Sequence, residues 1–284
     1  MAIISLIVTI ALFQKNLSTK VAAYGGEFRE GIIGAPRFVN PILAESPTDR
    51  SLVRLVYSSL LKRAKDGSLT YDVAESLTIS EDALTYTVKL RNDIRFHDRK
   101  TLDADDVLFT IDMTQQTNLN SPYRIAWDLI SVTAPDPMTI IFKLPQPYAG
   151  FEENLTLGIL PEHLWRPVAL DQFSYSEYNV SAVGSGPYKI RSLNTHRDGI
   201  PLSYELSSYH TYHLGRPFIN KLTLKFYENE TKLIEAFSKG AVDAISEIHP
   251  ENGVQAYASR DDVLTTPLPR IFGLFAQQVQ NPAL

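Results

Sequence analysis

Two histidine-bearing segments, one aspartate pair and one glycine-rich turn are the residues whose types and spacing could do chemistry. Phe96-His97-Asp98 sets an imidazole beside a carboxylate. A catalytic histidine needs a nucleophile, or a water held by a second group. The sequence has no G-x-S-x-G elbow, so this tripeptide is read as a packed turn. Tyr209-His210 and Tyr212-His213 place two imidazoles three residues apart. Without an assignable carboxylate partner, that spacing does not make a metal site. Asp105 and Asp106 are read as first-turn partners of a helix dipole, not as an acid/base dyad. Gly184-Ser185-Gly186 has the small residues of a phosphate loop. Pro187 and the strand behind it offer no helix N-terminus, so a tight turn is expected instead. There is no cysteine, which excludes disulfides, thiol catalysis, thiolate metal sites and a lipid on an N-terminal cysteine. No catalytic residue, metal or cofactor is assigned.

The elements that must position these residues alternate between strand and helix periodicity. Residues 27–33 read as a first strand, followed by a loop carrying Gly34, Pro36 and Pro41. A helix is expected from Thr48 as N-cap, with Leu52, Val53, Val56, Leu60 and Leu61 on one face and Lys62 and Arg63 at its end. Residues 84–91 alternate, with Leu84, Tyr86, Val88 and Leu90 sharing a face. Asp103 is expected to cap a helix from Ala104 whose buried stripe is Val107, Leu108 and Ile111. Further strands are expected at 138–144, 188–191, 221–227 and 241–245, a helical turn at 161–165, and a helix over 231–239 closed by Gly240. The pattern is a mixed α/β or α+β chain without internal repeats. Residues 271–276 begin another apolar strand.

Hydrophobic residues make up 44% and charged residues 21% of 284 residues, a globular balance that argues against disorder. The formal net charge of −5 gives no basic footprint for nucleic acid. Residues 1–13 are apolar apart from Ser5 and Thr9, too short a run for a typical membrane span. With Val21-Ala22-Ala23 behind it, residues 1–23 read as a signal peptide or an N-terminal membrane anchor, and an extracytoplasmic location is expected.

Asn40-Pro41 is followed by residues 56–61 (VYSSLL), then by Asp66-Gly67 with residues 73–76 (VAES). With the segments after them, and in the same fixed order, they resemble the family 5 extracellular solute-binding proteins, the group of oligopeptide- and dipeptide-binding proteins. Residues 86–91 (YTVKLR), 94–98 (IRFHD) and 104–107 (ADDV) form the most specific stretch. Ser121-Pro122-Tyr123, residues 184–188 (GSGPY) and residues 239–243 (KGAVD) complete the series, which runs from about Gly25 onward. Two positions depart from the family pattern: Arg99 stands where a glycine usually makes the turn, and Asp103 replaces a threonine cap.

The resemblance implies an α/β, periplasmic-binding-protein-like (type II) clamshell whose first lobe carries an inserted domain. Residues 24–65 and 181–268 would form one discontinuous first-lobe domain and 66–180 the insertion. Residues 269–284 would cross into a second lobe lying largely outside this sequence. It also implies the substrate-binding component of an ABC importer, a monomer that takes a peptide or similar solute and docks on a membrane permease without chemistry. Relatives of this kind bind peptides, nickel chelates, sugars or opines. The expected ligand-facing residues are Glu45, Ser46 and Pro47, in the loop before the first helix, and Tyr123 as an aromatic wall. An exported hydrolase and a non-transport cell-surface sensor are the alternative readings.

Overall fold

The structure, a computed structural model, describes residues 23–246 and Ile248. It begins with β1 (Gly25–Ile33), α1 (Pro47–Val56), β2 (Leu61–Arg63), β3 (Leu69–Tyr71), β4 (Ala74–Ile79) and β5 (Thr85–Leu90). Next come α2 (Ala104–Gln115), α3 (Arg124–Trp127), β6 (Ser131–Asp136), β7 (Thr139–Lys143), α4 (Phe151–Asn154) and α5 (Glu162–Trp165). The remainder is β8 (Tyr188–Thr195), β9 (Pro201–Ser208), β10 (Ile219–Tyr227), α6 (Glu230–Ser238) and β11 (Ala244–Ile245). The expected apolar run at 1–13 and the strand at 271–276 lie outside the described residues.

One sheet has the order β11-β1-β10-β9-β8. Strand β1 runs parallel to both β10 and β11, while β10, β9 and β8 form an antiparallel meander. A parallel pair cannot be joined by a tight turn, and here almost the whole described chain forms the connection between β1 and β10. The second sheet, β4-β5-β7-β6, is antiparallel throughout, and β2 pairs with β3.

Each sheet owns a core. In the antiparallel sheet Tyr86, Val88 and Leu90 of β5 and Ile140 and Phe142 of β7 point inward at period two. They meet Phe151 and Trp127, whose ring centroids lie 5.8 Å apart and nearly edge to face. The mixed sheet buries Ile32, Tyr204, Leu206 and Leu224 against Leu52 and Val56 of α1, with Trp165 and Phe173 in contact at 4.3 Å. Helix α2 serves both cores: Val107 and Ile111 enter the first and Phe109 the second. The expected stripe is therefore corrected at one place, because Leu108 is only half-buried while Phe109 is buried.

Helix α1 corrects the sequence expectation at both ends. Its N-cap is Ser46, not Thr48. The Ser46 hydroxyl oxygen accepts from the Asp49 N–H at 3.0 Å, and Pro47 occupies the first turn. Thr48 is buried inside the helix and donates to the carbonyls of Ile33 and Gly34. At the other end the helix stops at Val56, and Leu61, Lys62 and Arg63 belong to β2. The Val56 carbonyl is taken by the Gly186 N–H at 2.8 Å. A Cβ at Gly184 would lie 2.0 Å from the Val56 oxygen, and one at Gly186 would lie 2.6 Å from its carbonyl carbon. Both glycines thus serve close backbone approach, which supplies the physical role of this turn.

Helix α2 begins where expected. Asp103 accepts from the Asp105 N–H, and Asp106 answers by accepting from the Asp103 N–H at 3.0 Å. Asp105 is exposed, whereas Asp106 is buried and also accepts from the Glu162 N–H at 2.8 Å. Burial outweighs these two donors and lifts the Asp106 carboxyl to about 7. Helix α6 is followed by Gly240 at a φ of 68°, as expected, and Asn229, which the sequence pattern does not single out, is its N-cap. Strands β3, β4, β6 and β9 fall where the sequence pattern predicts none, and the expected strand at 241–245 shrinks to Ala244–Ile245.

Candidate functional site

The loop before α1 is held by one buried carboxylate. Asp49 is 1% exposed and accepts four backbone N–H groups. Its Oδ1 takes those of Arg37 at 2.8 Å and Phe38 at 3.2 Å. Its Oδ2 takes those of Ser46 at 3.1 Å and Glu45 at 3.3 Å. Charge-assisted bonds of this kind are about twice as strong as neutral ones. The loop is fastened upstream as well. Asn40 donates to the Asn179 side chain at 2.9 Å and accepts from the Ile42 N–H at 3.0 Å.

Tyr123 meets this loop from the chain eighty residues onward. Its hydroxyl donates to the Ala44 carbonyl at 3.2 Å, and Ser121 donates to the Ile42 carbonyl at 2.6 Å. The four expected site residues are therefore brought together. Glu45 and Pro47 are exposed, Ser46 and Tyr123 half-buried, and burial pushes the Tyr123 phenol up from its ordinary range. The Ser46 oxygen is already an acceptor for the helix, so the hydroxyl proton is what it can offer outward. Arg50, one turn into α1, donates to the Glu45 carbonyl and also interacts with the Tyr123 hydroxyl. Ile125 and Leu129, just past Tyr123, are 82% and 77% exposed. The loop and the residues that meet it thus combine backbone groups, the Glu45 carboxylate, the Arg50 guanidinium and the Tyr123 phenol. Sequence reasoning missed Asp49 as the organiser, because a first-turn aspartate looks the same whether it faces solvent or backbone.

The other chemically suggestive residues are joined to structure. The His97 Nδ1 accepts from the Gly184 N–H at 3.3 Å and its Nε2 bonds the Gly186 carbonyl at 3.0 Å. That pairing requires the neutral imidazole with its proton on Nε2. Burial accordingly lowers the His97 pKa to about 4. Asp98 bonds His163 Nε2 at 2.7 Å. Asp72 accepts from His213 Nε2 at 2.8 Å, the Tyr212 hydroxyl at 3.3 Å and the Ser59 N–H at 3.0 Å. His213 therefore has a carboxylate partner that the sequence did not reveal, while His210 is exposed and apart from it. Among the described residues no group of three or more histidines and acids could hold a metal. No helix among them is long and apolar enough to cross a membrane.

Comparison with known proteins places this geometry. The oligopeptide-binding protein AppA of Bacillus subtilis (strain 168) is 25% identical over 256 residues, covering 84% of this chain and 46% of that protein. Its structure in complex with a nonapeptide matches at a TM-score of 0.73, covering 78% of this chain and 44% of that one. The ABC transporter substrate-binding protein CtaP of Listeria monocytogenes matches at a TM-score of 0.72 and 32% identity, covering 81% of this chain and 46% of that one. The fold is thus the α/β fold of periplasmic binding proteins, and the chain spans about half the length of the relatives it matches. The family described as "Bacterial extracellular solute-binding proteins, family 5 Middle" matches residues 68–282. With more than half of its length matched and its fold shared, the chain belongs to the family 5 bacterial extracellular solute-binding proteins.

Proposed function

We propose that this chain supplies one wall of the solute site in the substrate-binding component of an ABC importer, taking peptides or similar small solutes. The observation that carries the reading is the loop of residues 42–47, held by Asp49 from below and by Tyr123 from the side. Its outer edge offers backbone and hydroxyl groups to an extended chain, as in strand addition. In the relative AppA the bound molecule is a nonapeptide, which supports the peptide reading. A second lobe would close over the ligand, and closure would report occupancy because only the liganded state contacts both walls. The closed, monomeric form would then dock on a permease, with no bond made or broken. We further propose that residues 24–65 with 181–268 act as one domain and 66–180 as its insertion, and that residues 1–23 direct export as a signal peptide or anchor.

The test is calorimetric titration of peptides into the natural full-length protein, followed by mass analysis of the recovered peptide. Micromolar binding with intact peptide is expected. Tyr123→Ala should weaken it about tenfold through lost packing and the freed Ala44 carbonyl. Peptide recovered cleaved would favour the hydrolase reading, and no binding across peptides of two to nine residues would sink the peptide assignment.

A further inference from the structure

A cavity of about 310 Å3 lies along the outer edge of β8, far in sequence from the loop before α1. Residues 189–193 border it on one side, and residues 181–183 with His97 and Asp98 on the other. Among the described residues β8 is the last strand of its sheet, and no strand among them takes up the backbone groups of this edge. The register with β9 skips Arg191, a bulge that re-aims the strand at this point. Five consecutive residues therefore line one wall, which a regular strand facing two ways would not present.

The charges of the cavity are unbalanced. Lys189 and Arg191 both border it, and neither takes part in any ion pair among the described residues. Arg191 is partly occupied, donating from Nε to the Ser207 hydroxyl at 3.0 Å. Asp98, the one bordering carboxylate among the described residues, is committed to His163 Nε2 at 2.7 Å and to the Lys100 N–H at 3.1 Å. Both ring nitrogens of His97 are engaged by the glycine turn, so its imidazole does not compete for a ligand. Lys189 is half-buried and its charge is felt at His97. Against these cations stand Ala182, Val183, Ile190 and Leu193. Ser181 and Ser192 complete a lining that is mixed, apolar side chains alternating with polar and cationic ones. A volume near the lower end for ligand pockets, with both kinds of wall, suits one small amphipathic anion.

We propose that this cavity binds a small monocarboxylate with a short apolar tail. The carboxylate pairs with Lys189 and Arg191, and the tail rests on Ala182, Val183, Ile190 and Leu193. None of these residues belongs to the loop before α1. The site therefore stands or falls independently of the peptide reading.

The test is a heteronuclear NMR titration of the full chain with isovalerate, with isovaleramide and inorganic phosphate as comparison probes. Isovalerate should shift the signals of residues 181–183 and 189–193 saturably at millimolar concentration. It should also raise the His97 pKa, because a bound carboxylate offsets the Lys189 charge. Lys189→Met should weaken binding about tenfold, and Lys189→Arg should keep it within about threefold. Arg191→Gln, on the exposed bulge, should weaken it about threefold and serves where Lys189→Met does not fold. Isovaleramide binding as tightly as isovalerate would overturn the charge assignment, and equal binding of phosphate would overturn the apolar half. Unchanged isovalerate affinity in the Lys189 and Arg191 variants would overturn the site. Loss of peptide binding alone would count against the proposed function and leave this site standing.

Discussion

Asp49 shows how one side chain can set the shape of a candidate binding surface. Four N–H groups converge on its two oxygens, and the loop they come from runs from Arg37 to Ser46. Asparagine at this position keeps one acceptor oxygen and adds two donors facing donors. Asp49→Asn should therefore cost about 2–4 kcal/mol of unfolding free energy, read from urea melts. A loss under 1 kcal/mol would mean that the loop is held by its other ties. Arg99 makes the opposite case. It sits at a φ of 77°, the left-handed region that favours glycine, in a turn closed by its N–H to the Phe96 carbonyl. The turn is therefore kept with arginine in the glycine position rather than remodelled. Arg99→Gly should stabilise the protein by up to about 1 kcal/mol, since the strain outweighs what an exposed side chain contributes. A lower midpoint in the same urea experiment would contradict that account.

At the scale of elements, α1 and the glycine turn define each other. The helix ends at Val56 because Gly184 and Gly186 press on its last carbonyl, and His97 then clasps the same two glycines from the far side. Gly184→Ala would force a Cβ to within 2.0 Å of the Val56 oxygen, against backbone that cannot swing aside. It should cost about 3 kcal/mol or more, whereas Gly67→Ala, at a positive φ but in open space, should cost about 1 kcal/mol. Equal losses in the two variants would show that conformation, not close approach, governs Gly184. This contact also explains why the helical spacing of Leu60 and Leu61 misled. Both are buried, but as parts of the strand and turn that follow α1.

Across the molecule, half-buried His97 and buried Asp106 pull stability in opposite directions with pH. The folded His97 pKa, at about 4, lies below its unfolded value near 6.5. Its contribution is full above 6.5 and is lost as pH falls toward 4, up to about 3 kcal/mol by linkage. The folded Asp106 pKa, at about 7, lies above its unfolded value near 3.9. Its contribution is present at acid pH and lost as pH rises from about 4 to 7. The wild-type profile should be shallow between pH 4.5 and 6.5, because the two slopes offset each other. His97→Gln should be less stable than wild type at pH 7, with the gap narrowing toward pH 4.5. Parallel profiles for the two proteins would show that His97 does not titrate differently on folding.

The local signals carried much of this protein. Capping by Asp103, the stop at Gly240, the alternation of Tyr86, Val88 and Leu90, and the ordered family segments depend on near neighbours, and each is recoverable from the chain alone. The expected loop residues Glu45, Ser46, Pro47 and Tyr123 also come together in space, although only resemblance pointed to them. Tertiary structure alone decided which of two adjacent aspartates is buried and that Asp49 gathers four amides. It also decided that Asp72 joins His213 to Ser59, and that Lys189 and Arg191 line an open strand edge. The physical reason is common to all four. A side chain's propensity reflects its own turn or strand, while desolvation and pairing depend on what the rest of the chain brings to it. Here the partners lie from a few residues to some 140 apart, and β1 finds β10 only after nearly two hundred residues.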